Sequence, residues 1–189
     1  FNSLRTQDHL NNANNISERW NNSTFSTGVT VKPVDWSDLF VNYSQGFRVP
    51  TVSEIAPFSG AIATGLNPEQ SDSYEIGTRL RYQDIAQFKT SWFLIDVEDE
   101  ITFDSTTRTA IAPFGQNVNI GKTRRYGIET RLDLNPIEEI DLYGSYTWTR
   151  AYVAETNPSG SLADGRDLGQ VPENRFTFGT YVRPLTRFG

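Results

Sequence analysis

The feature that most constrains this chain is a strict alternation of apolar and charged side chains. The stretch RYGIETRLDL, residues 125–134, places Tyr, Ile, Thr, Leu and Leu on one face and Arg, Gly, Glu, Arg and Asp on the other. A period of two indicates an extended strand with two unlike faces. The pattern recurs in six further stretches, which begin near residues 25, 39, 73, 87, 140 and 175. The sequence therefore predicts seven strands, with room for a short helix only inside a long connection.

The connections between these strands alternate in length. Four are short turns that contain Pro or Asp: KPVDWSD, YQDIA, NPIEE and RPLTRFG. Long connections are predicted between them at Arg48–Ser71, Ser105–Asn119 and Val153–Glu173, and the Asn-rich opening is predicted to end another. Short turns on one rim and long loops on the other are the plan of an outer-membrane barrel. We therefore predict an all-β chain, about seven strands of an antiparallel up-and-down transmembrane β-barrel, with short periplasmic turns and long extracellular loops.

A closed barrel explains the two unlike faces, because every backbone polar group must be paired inside a bilayer. The apolar face would meet lipid, and the charged face would meet a wet lumen or a plug. Asp96 and Arg150 are exceptions on the apolar face, both near the loop end of their strands. A soluble β-sandwich with one wet face is the alternative fold. The predicted lipid-facing or interfacial anchors are Trp92, Tyr126, Tyr146 and Trp148.

Composition and charge remove several other classes of protein. The chain has no Cys, which excludes disulfides, a thiol nucleophile and a Cys-ligated metal. Its net charge of -6 argues against nucleic acid as a partner. No run of 18 apolar residues is present, so no transmembrane helix is predicted. His9 is the only histidine and stands in a polar loop, and the acidic run DVEDE (96–100) suits a solvated strand end better than a cation site. We predict that the chain has no catalytic residues and no metal site and that it is not an enzyme.

Four segments resemble the barrel region of TonB-dependent outer-membrane receptors. They are NYSQGFRVPTVSEI (42–55), LNPEQSDSYEIGTRL (66–80), NVNIGKTRRYGIETRL (117–132) and VPENRFTFGTYV (171–182), in that family's order and at plausible spacing. The stretch SWFLIDVEDEITFD is most similar to ferric-citrate-type and siderophore receptors. The resemblance covers nearly the whole chain from about Phe25.

The resemblance implies a receptor of the bacterial outer membrane that takes up a ferric chelate, either a siderophore or ferric citrate. Members of the family have an N-terminal plug, a TonB box and a 22-stranded barrel. We expect residues 1–189 to be a partial barrel without the plug, the TonB box and the terminal strands. The implied partners are outer-membrane lipid and lipopolysaccharide, TonB through the plug region, and the chelate itself, with no cofactor.

The resemblance also places cargo capture on the extracellular loops and the plug apex. An anionic chelate favours arginine with amide groups beside it. The loop candidates, for which loop packing is the alternative role, are Arg48, Arg108, Gln116, Asn117 and Arg166. The inner-face residues expected to contact the plug or to pair with one another are Glu75, Arg79, Arg81, Arg125, Glu129 and Arg131.

Two other functions stay open on the sequence. A passive porin or a purely structural barrel would have similar strands without a plug or a TonB box. A soluble carbohydrate-binding β-sandwich would be monodisperse without detergent, whereas an open sheet with an exposed apolar face should aggregate in water.

Overall fold

The computed structural model describes residues 2–6, 16–55, 65–108, 110, 112–156, 164–169 and 171–183. His9 and the turn predicted after Arg183 lie outside these residues. No helix among the described residues is long and apolar enough to cross a bilayer. The elements run in the order β1 (Asn2–Thr6), β2 (Ile16–Trp20), β3 (Ser26–Val34), β4 (Ser37–Arg48), α1 (Val52–Ile55), β5 (Glu69–Tyr82), β6 (Ala86–Glu98), β7 (Ile101–Asp104), β8 (Gln116–Asn119), β9 (Lys122–Ile137), β10 (Ile140–Glu155) and β11 (Asn174–Val182).

The main sheet is an open antiparallel meander in the order β11-β10-β9-β6-β5-β4-β3. These are the seven strands predicted from the alternation, and tight turns join them at 35–36, 83–85 and 138–139, where short connections were predicted. The five inner strands have 12 to 16 residues. About 9–11 residues of tilted strand cross a bilayer, so these strands are long enough to continue beyond it on the loop side.

The long connections hold more regular structure than the sequence predicted. The connection predicted at Ser105–Asn119 contains β8, which pairs with β7 as a separate two-stranded sheet. The opening, predicted as the end of a loop, contains the paired strands β1 and β2. Helix α1 lies in the long connection after β4, the kind of segment in which the sequence allows a short helix. Four or five residues are too few to show a period of two, which is why the sequence did not reveal these strands.

The two faces of the main sheet differ as the alternation predicted. Large apolar side chains stand exposed along one face, for example Ile76 (54%) and Phe178 (89%). The opposite face carries paired charges, hydroxyls and glycines. We refer to them as the apolar face and the polar face. An apolar face this open to solvent is a contact surface for lipid or for another apolar partner.

Aromatic rings on the polar face lie over glycines of the neighbouring strand. A Cβ at Gly127 would come within 2.0 Å of the Trp148 carbonyl oxygen and within 2.8 Å of the Phe93 ring. The missing side chain therefore makes room both for the ring and for close approach of two strands. The cross-strand pairs of this kind are Phe40–Gly77, Phe93–Gly127 and Tyr143–Gly179.

We expect Gly127→Ala to destabilise the sheet, because the methyl group would push against the Phe93 ring and the Trp148 backbone. Overpacking of this kind costs about 1–3 kcal/mol. The matched control is Gly144→Ala, where the nearest atom to the added Cβ is the Thr177 oxygen at 4.0 Å. That change should alter the free energy of unfolding by less than about 0.5 kcal/mol. Urea unfolding of the protein folded into lipid measures both, and equal losses would contradict the packing account.

Candidate functional site

A network of ion pairs lies at the loop-side ends of β4 and β5. Arg48 ends β4 and stands directly opposite Glu69, the first residue of β5. Its Nε donates to the Glu69 carboxylate at 2.7 Å, and its Nη1 donates to both oxygens of Glu54 at 2.9 and 3.0 Å. One guanidinium therefore joins β4, α1 and β5.

Glu54 also caps the helix on which it lies. The Thr51 backbone amide and hydroxyl donate to the Glu54 carboxylate at 2.7 and 2.9 Å, while the Thr51 carbonyl accepts from the first turn of α1. This is the glutamate half of a capping box, in which the third residue of the helix accepts from the backbone amide of the residue before the helix. Burial raises the pKa of Glu54, but the hydrogen bonds from Arg48 and Thr51 outweigh burial and hold it below its usual value of 4.5.

The β7–β8 hairpin is fastened to this same network. The backbone amide of Ile101 donates to the Glu69 carboxylate at 2.8 Å, and the Asn117 side chain donates to the Glu54 carbonyl at 2.9 Å. The two glutamates that bind Arg48 therefore also hold the start of β7 and the middle of β8. We call the Arg48, Glu54 and Glu69 cluster with its docked hairpin the loop platform.

Further contacts make the loop platform rigid. The Asn119 side chain accepts from the Asn67 amide at 2.8 Å and donates to the Asn67 carbonyl at 2.9 Å. A small apolar core lies beneath the hairpin. It shields the polar contacts of the loop platform from water on that side. Its buried members are Ile55, Leu66 and Ile101, with Trp20 packed against them.

The acidic run at 96–100 is balanced by the basic run at 122–125 on the adjacent strand. Arg124 binds Asp96 bidentately at 2.6 and 2.8 Å, and the Lys122 amine lies 3.4 Å from the same carboxylate. Arg125 donates to Glu100 at 2.7 Å on the other face. Across the described ranges, no group of three or more His, Cys, Asp or Glu side chains is placed to hold a metal ion. The acidic run is therefore the end of a strand, and its carboxylates pair with basic side chains of β9.

The polar face carries the charge pairs expected of an inner wall. Arg79 and Arg81 share the carboxylate of Asp38, which is only 2% exposed. Asp38 was not predicted, although its position directly opposite Arg79 follows from the strand pairing. The other predicted residues of this face contribute the pairs Glu75–Lys89 (3.5 Å) and Arg131–Asp133 (2.6 Å), together with Glu129, which lines an open cleft with Glu75 and Arg175.

The predicted interfacial anchors lie on the apolar face. Tyr126 meets Trp148 edge to face at a ring separation of 5.9 Å, and Tyr146 stacks on Phe176 at 4.6 Å. Trp92 is 42% exposed on the strand between them and β5. Tyr and Trp rings concentrate where a barrel leaves the hydrocarbon, so this arrangement suits a membrane interface.

The predicted cargo ligands fall into two groups in space. Arg48 and Asn117 belong to the loop platform, where their polar atoms bind other parts of the chain. Gln116 and Arg108 are on the same hairpin, and Arg108 is exposed, with its Nε bonded to the Ser105 carbonyl at 2.9 Å. The fifth candidate lies apart from them: the Arg166 carbonyl accepts from Val153, beside β10.

Comparison with known proteins decides the family. The whole chain, residues 1–189, matches the family model described as "TonB dependent receptor-like, beta-barrel". This chain belongs to the TonB-dependent receptor β-barrel family. It is 26% identical over 209 residues to the hemoglobin and hemoglobin-haptoglobin-binding protein A of Haemophilus influenzae, covering 97% of this chain and 19% of that protein.

One further relative is named as an outer-membrane protein, and one solved structure shares the fold. This chain is 30% identical over 150 residues to the iron-regulated outer membrane virulence protein of Vibrio cholerae, covering 70% of this chain and 22% of that protein. The chain therefore spans about a fifth of the length of these two relatives. The fold is similar to the ferripyoverdine receptor of Pseudomonas aeruginosa bound to ferripyoverdine, with a TM-score of 0.62 and 20% identity over 88% of this chain and 21% of that one. At this identity the structural match supports the barrel fold alone.

The loop platform should loosen in acid. Because the pKa of Glu54 is lowered on folding, its contribution to stability is present above pH 4.5 and is lost as the pH falls through its lowered value. Hydrogen exchange of the Thr51, Glu54 and Ile55 amides, which are hydrogen-bonded here, should show strong protection at about pH 6 and weak protection at about pH 3 after correction for the intrinsic rate. Glu54→Gln should show weak protection at both pH values. An unchanged pH dependence in that variant would show that another group controls the platform.

Proposed function

We propose that this chain forms part of the wall of an outer-membrane receptor that takes up an iron compound with energy delivered by TonB. The match of the whole chain to the receptor barrel family carries this proposal. It is supported by the names of the relatives, which bind hemoglobin or are regulated by iron. A receptor of this kind needs a firm extracellular surface, and we propose that the loop platform forms part of it at the loop end of the sheet.

The cargo we propose is a ferric chelate, either a siderophore or ferric citrate. Arg108 is the best candidate ligand of the predicted set because it is exposed on a hairpin held rigidly from below. Arg48 and Asn117 are already bound to Glu54 and Glu69, so we assign them the indirect role of positioning this hairpin. A guanidinium held on a preorganised support loses little entropy when it binds an anion.

Two classes of partner complete the proposal. The charge pairs of the polar face, including Arg79, Arg131 and their carboxylates, would face a plug through which TonB acts. The apolar face would contact outer-leaflet lipid, including lipopolysaccharide. Both assignments follow from placing this sheet in the wall of a barrel.

Uptake of radiolabelled iron by cells that carry the receptor tests this function. Ferric siderophores, ferric citrate and hemin are supplied separately, with and without a protonophore and in cells with and without TonB. We expect saturable uptake of a ferric chelate that both treatments abolish. Uptake that is insensitive to both, together with ion conductance in planar bilayers, would identify a passive porin instead.

A matched pair of variants tests the proposed ligand. Arg108→Ala should raise the half-saturating chelate concentration roughly tenfold, the effect of losing one charge-assisted hydrogen bond. Arg183→Ala, on the opposite rim, should leave it unchanged, because Arg183 pairs there with Asp141. Equal effects of the two changes would remove Arg108 from the cargo site.

A further inference from the structure

Two arginines lie on the apolar face of the sheet at its loop-side end. Arg124 is on β9 and Arg150 is on β10, in phase with the membrane anchor Trp148. The strand register sets Arg150 opposite Tyr126 and Tyr152 opposite Arg124. Because alternate residues share a face, both arginines stand on the side of the exposed apolar band. Diagonal neighbours of this kind are within reach of long side chains.

Their height relative to the membrane follows from the surrounding rings. The Tyr126 ring lies edge-on to Trp148 at 5.9 Å and to Tyr152 at 6.3 Å. Such rings mark the level of the lipid headgroups, and the exposed Ile128 and Leu132 continue the apolar band toward the turn side. The two arginines therefore lie at the headgroup level of the leaflet on the loop side.

The two guanidinium groups differ in their partners but share Tyr152. Arg124 uses its Nε and Nη2 on Asp96, which leaves further N–H donors, and Tyr152 stands directly opposite it on β10. Arg150 is exposed, and no carboxylate of the described residues lies within 4.0 Å of it. Its guanidinium carbon lies 5.9 Å from the centre of the Tyr152 ring. Tyr152 therefore lies between two cations.

Carboxylates on the other side of Arg150 limit where an anion fits. Asp167 and Glu173 line a cleft of about 380 Å³ together with Arg150. The Glu173 carboxylate accepts a hydrogen bond from the Trp148 indole at 3.2 Å, and Asp167 pairs with the backbone of Tyr152. An anion near Arg150 is therefore expected on its other side, over Tyr152 and toward Arg124, where the Asp96 carboxylate is already paired with Arg124 and Lys122.

We propose that Arg150, Tyr152 and Arg124 bind a phosphate group of lipopolysaccharide. The guanidinium fork matches phosphate oxygens in a bidentate geometry, and the tyrosine hydroxyl adds a donor between the two forks. The partner is a lipid because the strip adjoins the exposed apolar band, where acyl chains would pack below the phosphate. The inference rests on the proposed contact of this face with outer-leaflet lipid and does not depend on which cargo is carried.

The test titrates lipid A into the detergent-solubilised receptor and measures bound lipid by native mass spectrometry. Arg150→Gln should weaken lipid A binding roughly tenfold, as expected for the loss of one charge-assisted hydrogen bond. Tyr152→Phe, which keeps the ring and removes the hydroxyl, should weaken it less. The matched control Arg183→Gln lies on the opposite rim and should bind like the unaltered protein. Each variant is first shown to be folded by the change in its electrophoretic mobility between unheated and heated samples.

Three results would overturn the site. They are equal lipid A affinity in Arg150→Gln and the unaltered receptor, equally tight binding of dephosphorylated lipid A, and competition by inorganic phosphate as strong as that by lipid A. The last would indicate a site for free phosphate. Iron uptake is assayed separately on the unaltered receptor, so a failure of the proposed transport function is distinguishable from a failure of this lipid site.

Discussion

The rest of this structure depends on unbroken backbone pairing between neighbouring strands. Inside a hydrocarbon layer, each unpaired N–H or C=O group costs several kcal/mol, so a strand can cross only if both of its sides are paired. β6 and β9 stay in register from Glu98–Lys122 to Ala86–Leu134 without a shift. The irregularities between β9 and β10 fall only near their two ends. The ladder is continuous where the membrane would require it.

A continuous ladder fixes which side chains become neighbours. On the polar face, Arg79, Lys89 and Arg131 stand in one cross-strand row. Like charges directly opposite each other are destabilising, so each needs a nearby acid. Asp38, Glu75 and Asp133 provide one each. The same ladder brings ring and glycine together at Phe93 and Gly127, and it aligns Arg124, Tyr152 and Arg150 on the apolar face. Sheet pairing therefore determines the placement of charge on both faces.

The seven strands and their turns could be predicted because an alternation sustained over ten or more residues needs no tertiary information. The Arg48–Glu69 pair could have been found by extending the register to the strand ends. The β7–β8 hairpin could not be predicted, because it is held by bonds from Asn117 to α1 and from Ile101 to Glu69. These contacts join parts of the chain that are distant in sequence. The loop platform therefore depends on tertiary contacts, whereas the strands of the sheet can be predicted from the local periodicity of the sequence.

The most direct test is the accessibility of single cysteines introduced at each position from 128 to 134, a range that avoids the tightly packed Gly127. The chain has no cysteine of its own, so each label would report one site within it. Spin labels in the lipid-embedded protein are compared for collision with oxygen, which enters lipid, and with a water-soluble nickel complex. Oxygen accessibility should be high at the even positions, on the apolar face, and low at the odd positions, on the polar face. The reverse phase, or no alternation, would contradict the assignment of the apolar face to lipid.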